Sequence, residues 1–97
     1  MDATLYKVAF EIFGTVQGVF FRKYTQKKAL ELGLVGWVRN TSDGTVKGEI
    51  QGTQPKIENM KNWLQNSGSP QSRIDQAVFS PSTEIKELTF KTFEIVR

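Results

Sequence analysis

The run Gly14-Thr15-Val16-Gln17-Gly18-Val19-Phe20-Phe21-Arg22 sets a small-residue loop and an arginine between a strand-like segment and a helix-like one. These residue types in this order make an anion cradle. Two glycines let the backbone curl so that successive N–H groups converge, the start of the following helix adds unpaired N–H groups and the positive end of its dipole, and Arg22 supplies a forked cation. Phosphate fits such a pocket best, held by the backbone of Gly14, Thr15, Val16, Gln17, Gly18, Val19 and Phe20 and by the Arg22 guanidinium. Each feature also has a plainer explanation. Two glycines mark an ordinary strand-to-helix turn, and a lone arginine in a first helical turn is more often a surface cation.

The absences narrow the chemistry as much as the loop does. The chain has no cysteine and no histidine, which removes disulfides, thiolate nucleophiles, the usual general base and the commonest metal ligands. No metal site and no cofactor are expected. A net charge of +3 with a pI near 9.3 suits small anionic ligands, but the excess is modest and scattered for a nucleic-acid binder. No run of apolar residues is long enough to cross a bilayer, and Met1-Asp2-Ala3-Thr4 shows no basic-then-apolar leader. The expectation is therefore a cytoplasmic protein without nucleic-acid or membrane partners, and a monomer. Its 97 residues suffice for one domain, 1–97, and one core.

The elements that must position the loop can be read from periodicity. From Leu5 to Phe13, Tyr6, Val8, Phe10 and Ile12 alternate with Lys7, Ala9 and Glu11, as a half-buried strand requires. Phe21, Thr25, Ala29 and Leu32 then share a helical face, and Gly33 ends that helix. Val35 to Thr41 and Thr45 to Gln51 read as two strands joined through Ser42-Asp43-Gly44, an Asp-Gly hairpin. Pro55 sits in the first turn of a second helix with Ile57, Met60 and Leu64 inward, and Asn66 to Pro70 ends it. Arg73 to Ser80 reads as a fourth strand with Ile74, Val78 and Phe79 as core candidates. Leu88 to Val96 reads as a terminal strand, and Pro81 to Lys86 as the exposed connection between the two. Trp37 and Trp63 read as packing residues.

This order, β-α-β-β-α-β plus a C-terminal strand, is the α+β, ferredoxin-like split βαβ sandwich, with two helices on one face of an antiparallel or mixed sheet. A helical crossover makes the first two strands parallel, so both carboxyl ends emerge on one edge. With one strand between them, the loop and Asn40 lie about 10 Å apart, two inter-strand spacings. A long arginine and one small substrate can bridge that gap.

A second run, Gly36-Trp37-Val38-Arg39-Asn40-Thr41-Ser42-Asp43-Gly44-Thr45-Val46-Lys47-Gly48, followed by Gly52, makes the pattern specific. Together with the glycine loop and the later Ser72-Arg73-Ile74-Asp75, it resembles the acylphosphatase family along essentially the whole chain, the eukaryotic members most. The resemblance implies hydrolysis of a small acylphosphate to a carboxylate and inorganic phosphate, without metal or cofactor. It gives Arg22 and the loop the phosphate and gives Asn40 the attacking water. Without the family pattern, Asn40 reads as a polar residue entering a hairpin. Thr41 is a candidate to support Asn40 or a water, and equally a strand filler.

Lys23, Lys27 and Lys28 read chiefly as a solvated helix face with a minor share in steering anions. Asp43 belongs to its turn, and Glu49 faces outward with no carboxylate partner. Two departures from the family pattern stand out: the chain ends Phe93-Glu94-Ile95-Val96-Arg97, where many members finish with tyrosine, and Phe20 occupies a variable position. The rival reading is a non-catalytic phosphate- or acylphosphate-binding or regulatory module on the same plan. The aromatic strand motif of an RNA-recognition domain, a Cys-x-x-Cys pair and the Gly-Lys-Ser/Thr of a nucleotide loop are all missing.

Overall fold

The computed structural model describes residues 3–97. The chain runs through β1 (Leu5–Thr15), α1 (Phe21–Leu32), β2 (Val35–Asn40), β3 (Val46–Thr53), α2 (Gln54–Asn66), β4 (Arg73–Phe79), β5 (Thr83–Ile85) and β6 (Phe93–Ile95). The period-two pattern in β1 buries Val8, Phe10 and Ile12 while Lys7 and Ala9 stay exposed. In α1 the buried face is Phe21, Thr25 and Ala29. Thr25 tolerates burial because its hydroxyl donates to the Phe21 carbonyl at 2.7 Å within the helix. Gly33, at φ 74°, closes α1 by donating back to Ala29 and Leu30. In α2, which starts with Pro55 in its first turn, Ile57, Met60 and Leu64 face inward.

The sheet order is β4-β1-β3-β2-β6, with β5 pairing β1 alongside. β1 and β2 are each antiparallel to β3, so they run parallel to one another with their carboxyl ends on one edge. β6 joins β2 in parallel and makes the sheet mixed. Both helices contribute to one core with the inward residues of β1, β2 and β3, which places them on the same face. Trp63 packs its ring 5.9 Å from that of Phe21, joining the two helices.

Three sequence expectations change. Val78 is exposed, because β1 and β4 shift register between Phe13 and Gly14. Asp75 is the extra residue of that bulge, so Ile74 and Ala77 both reach the core side although they are three apart, and Val78 falls outward. The terminal strand shortens from Leu88–Val96 to Phe93–Ile95. Thr89 instead leaves the ladder to satisfy the buried Gln51 carboxamide, its backbone N–H donating to Oε1 at 2.8 Å and its hydroxyl accepting from Nε2 at 2.7 Å. The connection after Ser80 is likewise not wholly irregular, since Thr83–Ile85 adds a short strand against Leu5–Lys7.

Candidate active site

The parallel pair β1 and β2 delivers two segments to the same sheet edge, with β3 between them. After β1 the chain turns through residues 16–20 into α1. Gly14 and Thr15 are still part of the ladder, paired with Ile74 and Arg73 of β4. The free loop therefore begins at Val16, whose side chain is buried, while Val19 packs against the core. Among the described residues, no backbone N–H from Val16 to Phe20 reaches a protein acceptor. The first turn of α1 carries no side-chain cap and no acidic residue, so its own N–H groups add to the same positive end.

Gly18, at φ 75°, supplies one left-handed turn of the loop, and Phe20, at φ 59° and ψ 23°, supplies another. A left-handed phenylalanine is uncommon and costly. Its ring is 69% exposed, so core packing does not explain the conformation.

A cleft of about 320 Å³ opens at this edge. Val16, Gly18, Phe20 and Arg22 line it from the loop and α1, and Asn40 lines it from the end of β2. Ile95 and Arg97 close the far side. Arg22 is half-buried and, among the described residues, pairs with no carboxylate. Asn40 Oδ1 is buried and accepts no hydrogen bond, a costly state for a carboxamide unless something occupies it during function. Arg22 and Asn40 thus meet across one cavity, as the topology requires. Gly14, Thr15, Gln17 and Val19 do not line it.

Gln17 has a different position. Its side-chain Nε2 donates to the carbonyls of both Thr41 and Thr45, each at 2.9 Å. One amide therefore ties the loop to the turn that follows Asn40. That turn is locked from within by a chain of hydroxyls. Thr45 Oγ1 donates to the Glu11 carboxylate at 2.7 Å, which spends its only proton. Thr41 Oγ1 must then donate to Thr45 Oγ1, also at 2.7 Å, and it accepts from the N–H groups of Asp43 and Thr45 at 3.3 and 3.2 Å. Thr41 accordingly bonds into the turn that carries Asn40. Sequence reasoning missed the Gln17 side chain and Thr45. The available signals were a carboxamide in an otherwise small-residue loop and two threonines flanking the Asp-Gly turn.

No group of three or more His, Cys, Asp or Glu among the described residues is arranged to hold a metal ion. What the cleft offers is a set of backbone donors, the basic residues Arg22, Lys23 and Arg97, and one carboxamide with a free acceptor.

The acylphosphatase family model matches residues 8–95. The chain is 56% identical to acylphosphatase-1 of Xenopus tropicalis over 90 residues, covering 93% of this chain and 92% of that one. It is 52% identical to human acylphosphatase-1 over 94 residues, with 97% and 95% covered. Among solved structures it resembles an acylphosphatase from Coxiella burnetii, at a TM-score of 0.85 and 33% identity, covering 96% and 94% of the two chains.

Proposed function

Since the chain belongs to the acylphosphatase family and hydrolyses acylphosphates to a carboxylate and inorganic phosphate, we propose that a water positioned by Asn40 attacks, in line, a phosphate held by Arg22 and the 16–20 loop. Phosphoryl transfer has a loose transition state with charge spread over three equatorial oxygens, so the protein's work is positioning and charge stabilisation. The loop N–H groups and the Arg22 fork meet those oxygens. The leaving carboxylate has a conjugate acid with a pKa near ~4 and departs unprotonated. No general acid is needed, which accords with a chain that contains no imidazole.

Asn40 Oδ1 accepts one hydrogen bond from the attacking water and so orients its lone pair towards phosphorus. An amide is too weak a base to take the proton, which passes late in the reaction to a phosphate oxygen of the substrate. The observation that supports this division of labour is the buried, unpartnered Asn40 Oδ1 in the same cleft as Arg22. We read the whole chain as one catalytic domain acting as a metal-independent, cytoplasmic monomer. No observation favours the non-catalytic module.

Steady-state hydrolysis of benzoyl phosphate in excess chelator tests the assignment. The wild-type rate should be insensitive to the chelator. Asn40→Ala should lose at least ~10²-fold in kcat while phosphate still inhibits it, whereas Arg22→Gln should lose phosphate inhibition together with activity. Full turnover in Asn40→Ala would refute its role.

A further inference from the structure

The turn after β2 contains a residue pair that the mechanism leaves unused. Among the aspartates and asparagines of the chain, only Asp43 is followed by a glycine. That order permits a reaction of the backbone with its own side chain, because an amide nitrogen with no Cβ beside it can reach the carbon of the preceding carboxyl group. Larger residues crowd the same approach elsewhere, since Asn40 precedes Thr41 and Asp75 precedes Gln76.

Three features of the turn leave Asp43 open to this reaction. Its side chain is exposed, and among the described residues it pairs with no cation. The Gly44 N–H reaches the Thr41 carbonyl only at 3.4 Å, longer than an ordinary N–H···O bond. The N–H of Ser67, which follows Asn66, is by contrast held by the Trp63 carbonyl at 2.9 Å. Finally, a Cβ placed on Gly44 would meet nothing within 4 Å, so no neighbour packs this corner against rearrangement.

We infer that Asp43 is a self-modification site, where aspartate slowly isomerises to isoaspartate and thereby inactivates the ageing enzyme. The Gly44 nitrogen bonds to Cγ of Asp43, and one carboxyl oxygen leaves as water with the amide proton and one proton from solvent, closing a five-membered imide. Water then adds to the main-chain carbonyl of that ring, and the bond from this carbon to the Gly44 nitrogen breaks. The nitrogen takes one proton of the added water and the other returns to solvent. Mass and charge are unchanged, but the backbone now runs through Cβ and Cγ and is one atom longer.

That atom matters because the turn is tied at both ends. The Thr41 N–H donates to the Thr45 carbonyl at 2.9 Å, Thr41 Oγ1 accepts from the N–H groups of Asp43 and Thr45, and Gln17 bridges the Thr41 and Thr45 carbonyls. A longer path from Thr41 to Thr45 cannot keep all of these, and Asn40 is the residue next to Thr41. The loss of activity therefore rests on the role proposed for Asn40, whereas the chemistry of the turn does not.

The test holds wild type, Asp43→Glu and Asp43→Ser in warm neutral buffer for weeks. Benzoyl phosphate hydrolysis and isoaspartate in the tryptic peptide 40–47 are read at intervals. Glutamate would need a less favourable six-membered ring and serine has no carboxyl group, so both variants should hold their starting rates. In wild type the fraction of activity lost should match the fraction isomerised, one for one. A carboxyl methyltransferase should restore part of it by moving a methyl group from S-adenosylmethionine to the isoaspartyl carboxylate, after which methanol leaves as the imide recloses. A folded chain that keeps Asp43 unchanged while the free 40–47 peptide isomerises overturns the inference, and so does isoaspartate accumulating with activity intact. Freshly prepared Asn40→Ala separates the two readings. Full turnover there removes the role of Asn40, while the peptide still decides the modification.

Discussion

Gln17 holds the two halves of the site at a fixed separation, since both of its 2.9 Å bonds cross from the loop after β1 to the turn after β2. Gln17→Ala removes both, and each carbonyl keeps only a backbone donor, the Gly44 N–H on Thr41 at 3.4 Å and the Thr41 N–H on Thr45 at 2.9 Å. The expected cost is about 1–3 kcal/mol in urea unfolding, together with a clearly raised inhibition constant for phosphate as loop and turn drift apart. Unchanged phosphate inhibition would show that the loop holds its shape without the clamp. Phe20 predicts the opposite sign. Its ring is mostly exposed and its φ is left-handed, so Phe20→Gly should relieve about 1 kcal/mol of backbone strain, partly offset by glycine's chain entropy. A midpoint of thermal unfolding no lower than wild type is the expected result. Arg22 and Asn40 entered the reading as site residues through the acylphosphatase resemblance of their two long runs, since composition alone makes them a surface cation and a residue entering a hairpin. The Gln17 clamp was not legible in the sequence, because its acceptors are backbone carbonyls 24 and 28 residues away. A carbonyl leaves no mark in side-chain type.

At the scale of elements, the β1–β4 bulge matters most, because it sits where β1 becomes the loop. Gly14, at φ 130°, passes so close to the Arg73 carbonyl that a Cβ there would collide with backbone. Gly14→Ala should destabilise the fold by about 2 kcal/mol or more and blunt phosphate affinity, because β1 can no longer hand the chain to the loop at the same angle. Denaturant unfolding paired with phosphate inhibition reads both effects. Met60→Ala lies in the core of α2, remote from the cleft, and should cost 2–5 kcal/mol typical of such truncations while kcat of the folded fraction stays near wild type. The helices were readable because their 3.6-residue stripes, Phe21-Thr25-Ala29 and Ile57-Met60-Leu64, face a single core. Strand faces were readable only as far as strict alternation holds. The inserted Asp75 reverses the parity of β4, which is why Val78 faces out, and the demand of buried Gln51 for partners pulls Thr89 off the terminal strand. Both effects come from pairing between distant segments, which a local pattern does not encode.

For the whole molecule, the absence of histidine and cysteine sets the form of the pH profile. No imidazole is present to titrate near its ordinary pKa of ~6.5, so kcat should show no inflection there. A bell centred near neutrality would instead require a protein acid–base pair that the mechanism does not contain. The strand order carries a different consequence. β1, β3 and β2 form the middle of the sheet, and both flanking strands, β4 and β6, come from residues 73–95. During synthesis the centre of the sheet therefore emerges from the ribosome with two open edges, each a template for pairing with the wrong chain. Ile95 and Arg97 also line the cleft that holds Arg22 and Asn40, so a nascent chain whose final strand is still in the exit tunnel should be inert towards benzoyl phosphate. Activity should appear only when a C-terminal extension is long enough to free that strand.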